Sequence, residues 1–306
     1  MAIYPLLLLV CLLGCAADRD PDTLFGPTAE PALVVDALLI VGQPLPPLYL
    51  RQTSVPGVPY DLAALGVPGA QVAIRQGRQL LPYATAPDTA GKYQPLPDPP
   101  LVQAQTTYEL EIQVGNETLR ASTTTPPQLQ IDEAVLLDAQ TLAEQSRLKL
   151  FGEAGAAVYS APENQLRYQE GLLEVHFAPV QAAGYQVAIF SLDPGSPFLV
   201  DADFIEADDQ ADFDRQGNSP PIADTRGKAS LPWFAVAYGG RHLLKVYALD
   251  QNWYDYTRTN RAENPGFAGG LAGDNFERPL FRIKGGIGLF GSASVDSVGF
   301  FVLPRN

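Results

Sequence analysis

The segment over residues 106–114 alternates between apolar and polar side chains, and this two-residue period restricts the fold more than any other feature. Tyr108, Leu110 and Ile112 fall on one face, and the intervening positions are polar. A strand with one buried face requires this pattern, because successive side chains of a strand point to opposite sides. The 28 prolines and 27 glycines among 306 residues favour frequent turns and many short strands over long helices.

Four more strand candidates lie in the first part of the chain. They are rich in apolar or β-branched residues, and they cover residues 33–41, 48–53, 69–75 and 118–124. Several short strands in such a span are typical of an immunoglobulin-like or fibronectin-III-like sandwich. We therefore predict such a sandwich over residues 32–126, with a domain boundary at Pro126 and Pro127.

Residues 127–306 are predicted to form a second β-rich domain with a short helix. The strand candidates here are apolar runs over residues 172–177, 185–192, 231–238, 243–249, 280–283, 289–295 and 299–303. Gly239 and Gly240 separate two of these runs and predict a tight hairpin, because glycine tolerates the positive φ of such turns. Asp250 is the predicted N-cap of a helix over residues 250–260. The predicted fold class is therefore mainly β.

The N-terminus carries the pattern of a bacterial lipoprotein signal. An apolar run over residues 6–13 leads into Gly14 and Cys15, and in such signals the thiol of the cysteine receives the lipid. We predict a signal peptide over residues 1–14, a polar tether over residues 15–31, and a membrane contact through the lipid on Cys15. The alternative is an ordinary secretory signal in which Cys15 is incidental.

Charge and cysteine content exclude several classes of function. The net charge of −14 argues against binding to nucleic acid and against electrostatic attachment to anionic lipid. Cys11 and Cys15 are the two cysteines in the sequence, so the mature chain is predicted to have no disulfide, cysteine-based zinc site or cysteine nucleophile. We expect no cofactor.

The sequence motifs give little support to catalysis. Gly286, Gly288 and Gly291 match the dinucleotide-binding pattern, but the residues after them do not predict the helix that this pattern requires. A bend or a close approach of strands is the favoured interpretation of these glycines. The two histidines, His176 and His242, allow a metal site, although packed or surface histidines are commoner. The sequence lacks the usual zinc-protease and hydrolase signatures.

An acidic segment begins at residue 201 and contains candidate calcium ligands. These are Asp201, Asp203, Glu206 and Asp208, whose carboxylate oxygens are of the type that calcium prefers. However, the EF-hand loop requires glycine at its sixth position, where this chain has Glu206. We therefore favour a solvated acidic loop over a calcium site.

Aromatic residues within the predicted helix are the candidates for contact with a ligand or partner. They are Trp253, Tyr254 and Tyr256. Core packing is the favoured interpretation, since aromatic side chains mainly supply buried area. Because Trp253 and Tyr254 are adjacent, they do not both face the core squarely on a helix, and one of them is left for a binding surface.

The whole pattern resembles a family of Bacteroidota outer-membrane lipoproteins that is defined by a domain of unknown function. The resemblance rests on the lipoprotein signal, the aromatic segment 252–256 and the glycine-rich segment 283–291. Genes of that family often lie beside those of TonB-dependent transporters. The resemblance therefore implies an outer-membrane location and a transporter or another envelope protein as partner, and it implies no catalytic residue.

Three hypotheses for function follow. The first is a non-enzymatic outer-membrane-anchored lipoprotein that acts as a binding or accessory subunit of an envelope or nutrient-uptake complex. The second is an extracytoplasmic carbohydrate hydrolase, which needs two carboxylates about 5–9.5 Å apart in one cleft. The third is a structural surface protein whose first domain is a spacer.

Overall fold

The computed structural model describes residues 31–54, 60–152, 155–168, 171–200, 214–232, 235–259 and 279–304. This part of the chain is mainly β, as predicted, and the arrangement of its two sheets is consistent with a β-sandwich. Its two helices are short, and neither is long and apolar enough to cross a membrane. The signal peptide with Cys15 and the calcium candidates from Asp201 to Asp208 lie outside the described residues.

Seven strands form the first part of the structure, and five of them lie where the sequence predicts a strand, whereas β4 and β5 were not predicted. They are β1 (Leu33–Ile40), β2 (Leu48–Gln52), β3 (Gln71–Gln76), β4 (Gln79–Thr85), β5 (Lys92–Pro95), β6 (Thr107–Val114) and β7 (Glu117–Thr124). In β6 the side chains of Tyr108, Leu110 and Ile112 are buried, as the alternation predicts.

Ten further strands and two helices form the second part. The strands are β8 (Ile131–Asp138), β9 (Glu144–Arg147), β10 (Gln165–Arg167), β11 (Gly171–Phe177), β12 (Gly184–Ser191), β13 (Gln216–Asn218), β14 (Lys228–Pro232), β15 (Gly240–Leu249), β16 (Ile283–Lys284) and β17 (Ile287–Leu303). The helices are α1 (Ala156–Ser160) and α2 (Gln251–Thr259), and a 3₁₀ turn covers Pro162–Asn164.

The strands form one large sheet and one smaller sheet. The large sheet has the order β13-β12-β15-β17-β1-β2-β5-β4-β3-β6-β7-β16, and β10 also pairs with β17. The smaller sheet has the order β14-β11-β8-β9. In the second part of the structure, apolar side chains from both sheets meet in one core.

The long strand β17 joins the two parts of the structure. Its first portion, from Ile287 to Ala293, pairs with β1 in parallel, and its second portion, from Ala293 to Val302, pairs with β15 in the antiparallel direction. The sequence predicted two separate strands here, and that prediction is wrong. Asp296 lies in the predicted gap but does not interrupt the strand, and its carboxylate accepts a hydrogen bond from the backbone N–H of Ile131 at 2.7 Å. The Ser294 hydroxyl accepts another from the backbone N–H of Leu129 at 2.8 Å.

Strand β17 also contributes to both hydrophobic cores. Phe290 packs in the core of the first part, whereas Val298, Phe300 and Val302 pack in the core of the second part. In addition, β16 pairs with β7 of the first part. Strand pairing therefore crosses the predicted boundary at Pro126 and Pro127, and residues 283–293 contribute strands to the first part of the structure.

The glycine-rich segment has the packing role that the sequence favoured. Gly288 has a φ of +105°, and a Cβ added there would lie 2.1 Å from the backbone oxygen of Val35 in β1. A side chain at this position would therefore collide with the neighbouring strand. The segment continues as β17 instead of a helix, so the context required for dinucleotide binding is absent.

The hairpin predicted at Gly239 and Gly240 is wrong. Strand β14 pairs with β11 in the smaller sheet, whereas β15 pairs with β12 and β17 in the large sheet. The chain passes from one sheet to the other between these strands. Both strands place apolar side chains in the shared core, and burial of such side chains does not identify the partner of a strand.

Candidate functional site: a cleft at the junction of the two parts

Helix α2 begins where the sequence predicts, directly after Asp250. The Asp250 carboxylate accepts a hydrogen bond from the backbone N–H of Trp253 at 2.9 Å, which satisfies one of the unpaired donors of the first helical turn. It also accepts a bond of 2.6 Å from the Thr123 hydroxyl. Burial raises the pKa of Asp250, and these hydrogen bonds oppose that rise. The cap thereby fixes the start of the aromatic segment.

The face of α2 that is buried against the protein is polar. The Asn252 side-chain amide donates to the backbone oxygens of Ser122 and Phe290, at 2.7 and 2.8 Å. Asp255 is 4 % exposed and forms an ion pair with Arg282, whose Nε lies 2.8 Å from the carboxylate. Because polar groups hold this face, the aromatic side chains occupy other sides of the helix.

The structure separates the three aromatic candidates. Trp253 and Tyr256 are half-buried and line a common cleft. Tyr254 instead packs against β12, where a Cβ added to Gly184 would lie 2.5 Å from the Tyr254 ring. The approach of Trp253 depends on Gly291 of β17, since a Cβ there would lie 3.1 Å from the Trp253 Cβ. Contact of these residues with a ligand or partner stays a prediction.

This cleft, the junction cleft, has a volume of about 630 Å³. Its floor is one face of strands β12, β15, β17, β1 and β2, with β13 at one end, and α2 and the turn at residues 60–65 border it. Its volume lies in the range of small-molecule sites, which often form where two parts of a protein meet. The lining includes Asp36, Arg51, Gln52, Thr53, Tyr60, Gln186, Gln216, Asn218, Tyr247, Trp253, Tyr256, Thr257 and Leu289.

Two aromatic side chains of the junction cleft contact each other. The rings of Tyr247 and Trp253 meet edge to face, with centroids 5.5 Å apart. Burial raises the pKa of Tyr247 to about 12, so its hydroxyl is neutral at physiological pH. Neither this hydroxyl nor the indole N–H of Trp253 has a hydrogen-bond partner among the described residues.

Amide side chains form the end of the junction cleft opposite β1. Gln186 is buried and donates from its amide to the backbone oxygen of Ser219 at 3.0 Å, while Gln216 and Asn218 are exposed on β13 and lie 3.3 Å apart. Sequence reasoning missed these residues and Tyr247. Gln186 lies within an apolar run that predicts a buried strand. Because glutamine is seldom fully buried, its presence there could have marked it as a candidate site residue.

Charges in the junction cleft are sparse and balanced. Asp36 and Arg51 are the charged side chains in its described lining, and the Arg51 guanidinium also lies 4.6 Å from the centre of the Tyr49 ring. A single carboxylate does not supply the pair that a glycoside hydrolase requires. The lining therefore adds no support to the hydrolase alternative.

The two histidines lie in different parts of the structure. His242 is fully buried and stacks on Phe300 at 5.3 Å, whereas His176 lies on the smaller sheet, with Nε2 2.7 Å from Glu174. Within the described residues, no group of three or more histidine, cysteine, aspartate or glutamate side chains is arranged to hold a metal ion.

A second, wider depression covers the outer face of β4, β3, β6 and β7. It has a volume of about 1040 Å³ and is lined by charged side chains that include Arg75, Glu109, Glu111 and Arg120. Arg120 of β7 and Glu111 of β6 are direct cross-strand neighbours, with the Arg120 Nε 3.4 Å from a Glu111 carboxylate oxygen. Both side chains are more than half exposed. Such pairs are common on solvated sheet faces, so the junction cleft is the better candidate site.

The fold and the junction cleft together define a class: a mainly β protein with two cores, a shared strand and a ligand-sized cleft between its parts. A comparison with known families is more specific. The chain belongs to the family of the domain of unknown function DUF4249, which matches residues 21–298. The resemblance to a family defined by such a domain is thus confirmed. No curated protein matches the sequence significantly.

Proposed function

We propose that the protein is a lipid-anchored binding subunit of the bacterial cell envelope, which holds a ligand in the junction cleft for a transport complex of the outer membrane. The observation that carries this proposal is the cleft itself. Its size suits a small molecule, and its lining includes Tyr247 and Trp253, whose side-chain donors have no hydrogen-bond partner among the described residues. Binding, without catalysis, is what this set of side chains supports best.

The rigidity of the junction cleft supports a binding role. Its floor is formed by paired strands, and β17 links both halves of that floor because it is buried in both cores. Backbone hydrogen bonds between these strands and the Asp250 cap of α2 restrain the residues that line the cleft. A preformed site avoids the entropy cost of ordering loops when the ligand binds.

The position of the predicted tether supports attachment near a membrane partner. The backbone N–H of Ala32 donates to the Thr53 hydroxyl at 3.0 Å, and Thr53 lines the junction cleft. The tether over residues 15–31 therefore joins the structure at the rim of the cleft. Fully extended, a segment of this length reaches at most about 60 Å, which keeps the cleft close to the bilayer that holds the lipid.

Purification from membranes tests this proposal. The tagged full-length chain is cross-linked in its native cells, solubilised in detergent and purified, and outer-membrane proteins that accompany it are identified by mass spectrometry. We expect a TonB-dependent transporter with the wild type but not with Cys15→Ala, which lacks the lipid attachment point.

Phe151→Ala is the matched control, because Phe151 is 37 % exposed and lies outside the cleft lining. This variant retains the transporter if the effect of Cys15→Ala is specific. Wild-type protein that recovers no outer-membrane transporter contradicts the proposed function.

A further inference from the structure

The chemistry of the junction cleft identifies a ligand class, and this inference rests on the proposed binding function of the same site. The lining combines aromatic rings with amides: the rings are those of Tyr247, Trp253 and Tyr256, and the amides are those of Gln186, Gln216 and Asn218. Gln186 lies directly opposite Tyr247 on the neighbouring strand. We infer that the junction cleft binds a neutral oligosaccharide.

The aromatic rings match the apolar faces of sugar rings. The C–H groups on one face of a pyranose form a flat apolar surface that carries partial positive charge, and an aromatic face carries partial negative charge. Trp253 is half-buried, with the Tyr247 ring against it at 61° between planes. This packing holds the Trp253 ring in place, so its contact with a sugar costs little rotamer entropy.

The polar groups match sugar hydroxyls. A hydroxyl both donates and accepts hydrogen bonds, and an amide side chain offers both functions within one planar group. Gln186 uses an amide hydrogen to hold Ser219, which orients the remaining groups of this buried side chain. The Tyr247 hydroxyl and the Trp253 indole N–H add donors that have no hydrogen-bond partner among the described residues.

Charge favours a neutral ligand over an anionic one. The described lining contains one acidic and one basic side chain, Asp36 and Arg51, so it has no excess of either sign. The chain as a whole carries a net charge of −14, which opposes the approach of polyanions.

The strand arrangement disfavours an extended peptide as the ligand. Peptides often bind by adding a strand to a free sheet edge, where unpaired backbone groups are available. Strands β12, β15, β17, β1 and β2 beneath the junction cleft each have neighbours on both sides, and the terminal strand β13 borders the cleft at one end. Their backbone groups are engaged in the sheet, and recognition must come from side chains that project from its face.

Titration of the full chain in detergent tests the inference. The probes are neutral hexasaccharides of glucose, mannose and xylose in different linkages, and an uncharged hexapeptide of alanine, glycine and serine is the comparison. Isothermal titration calorimetry measures affinity. Fluorescence of a Trp233→Phe variant reports on the cleft directly, because Trp253 is then the single tryptophan of the chain.

We expect at least one hexasaccharide to bind and to change the Trp253 emission, and we expect no binding of the hexapeptide. Trp253→Ala should weaken binding at least tenfold. Asn218→Ala should weaken binding several-fold. Because Asn218 is exposed on β13, this change should leave the fold intact. Phe151→Ala, outside the cleft, should bind as the wild type does.

Failure of this inference differs from failure of the proposed function. If no hexasaccharide binds, or if the hexapeptide binds instead, the ligand class is wrong, although recovery of a transporter with the wild type still supports the envelope role. If a hexasaccharide binds but no transporter is recovered, the ligand class stands and the transport role is wrong. Saccharide binding that is unchanged by Trp253→Ala and Asn218→Ala also overturns the inference, because it places the site elsewhere.

Discussion

Removal of everything after Pro127 should prevent the first part of the structure from folding, although its seven strands are continuous in sequence. A fragment of residues 31–127 loses Phe290, which is 1 % exposed in the core of the first part. Loss of a buried phenylalanine side chain costs about 3–5 kcal/mol. The fragment also loses the parallel partner of β1 and the short partner of β7. Typical domains are stable by about 5–15 kcal/mol, so these losses together leave little or nothing of a stability at the lower end of that range.

The assay compares this fragment with one in which residues 279–304 follow residue 127 through a flexible glycine-serine linker. Urea titration monitored by far-ultraviolet circular dichroism should give a cooperative transition for the linked version and none for the fragment alone. Phe290→Ala in the linked version should lower the free energy of unfolding by about 3–5 kcal/mol. The reasoning is refuted if the unlinked fragment gives a cooperative unfolding transition.

Three further predictions concern single residues. Gly288→Ala should destabilise the protein by at least about 2 kcal/mol, because the position combines positive φ with a collision against β1; urea unfolding should show no comparable loss for Gly195→Ala, whose Cβ would meet open space. His242 has its pKa lowered to about 4 by burial, so the unfolded state binds the proton first as pH falls. Its contribution to stability is complete above pH ~6.5 and should decline by about 3 kcal/mol towards pH ~4; a His242→Leu variant with an unchanged pH profile of unfolding would contradict this. Trp253→Ala should cost about 1–2 kcal/mol, less than for a fully buried tryptophan, and a thermal shift as large as that of Phe290→Ala would assign Trp253 to the core.

The sequence by itself predicted the class of the fold and several local elements. Alternation over residues 106–114 identified β6, because the burial of every second side chain is a direct consequence of strand geometry. Asp250 identified the start of α2, because a cap and the backbone group it binds are only three residues apart. These signals depend on neighbouring residues, so they can be interpreted without knowledge of the rest of the chain.

The tertiary structure decided which strands pair and which side chains share a cleft. The junction cleft brings Asp36 of β1 together with Gln186, Trp253 and Leu289, and no local pattern connects positions so far apart. The same limit explains why β14 and β15 were wrongly expected to form a hairpin. Backbone hydrogen bonds of a strand are almost independent of its side chains, so the choice of partner depends on how all the apolar faces pack together.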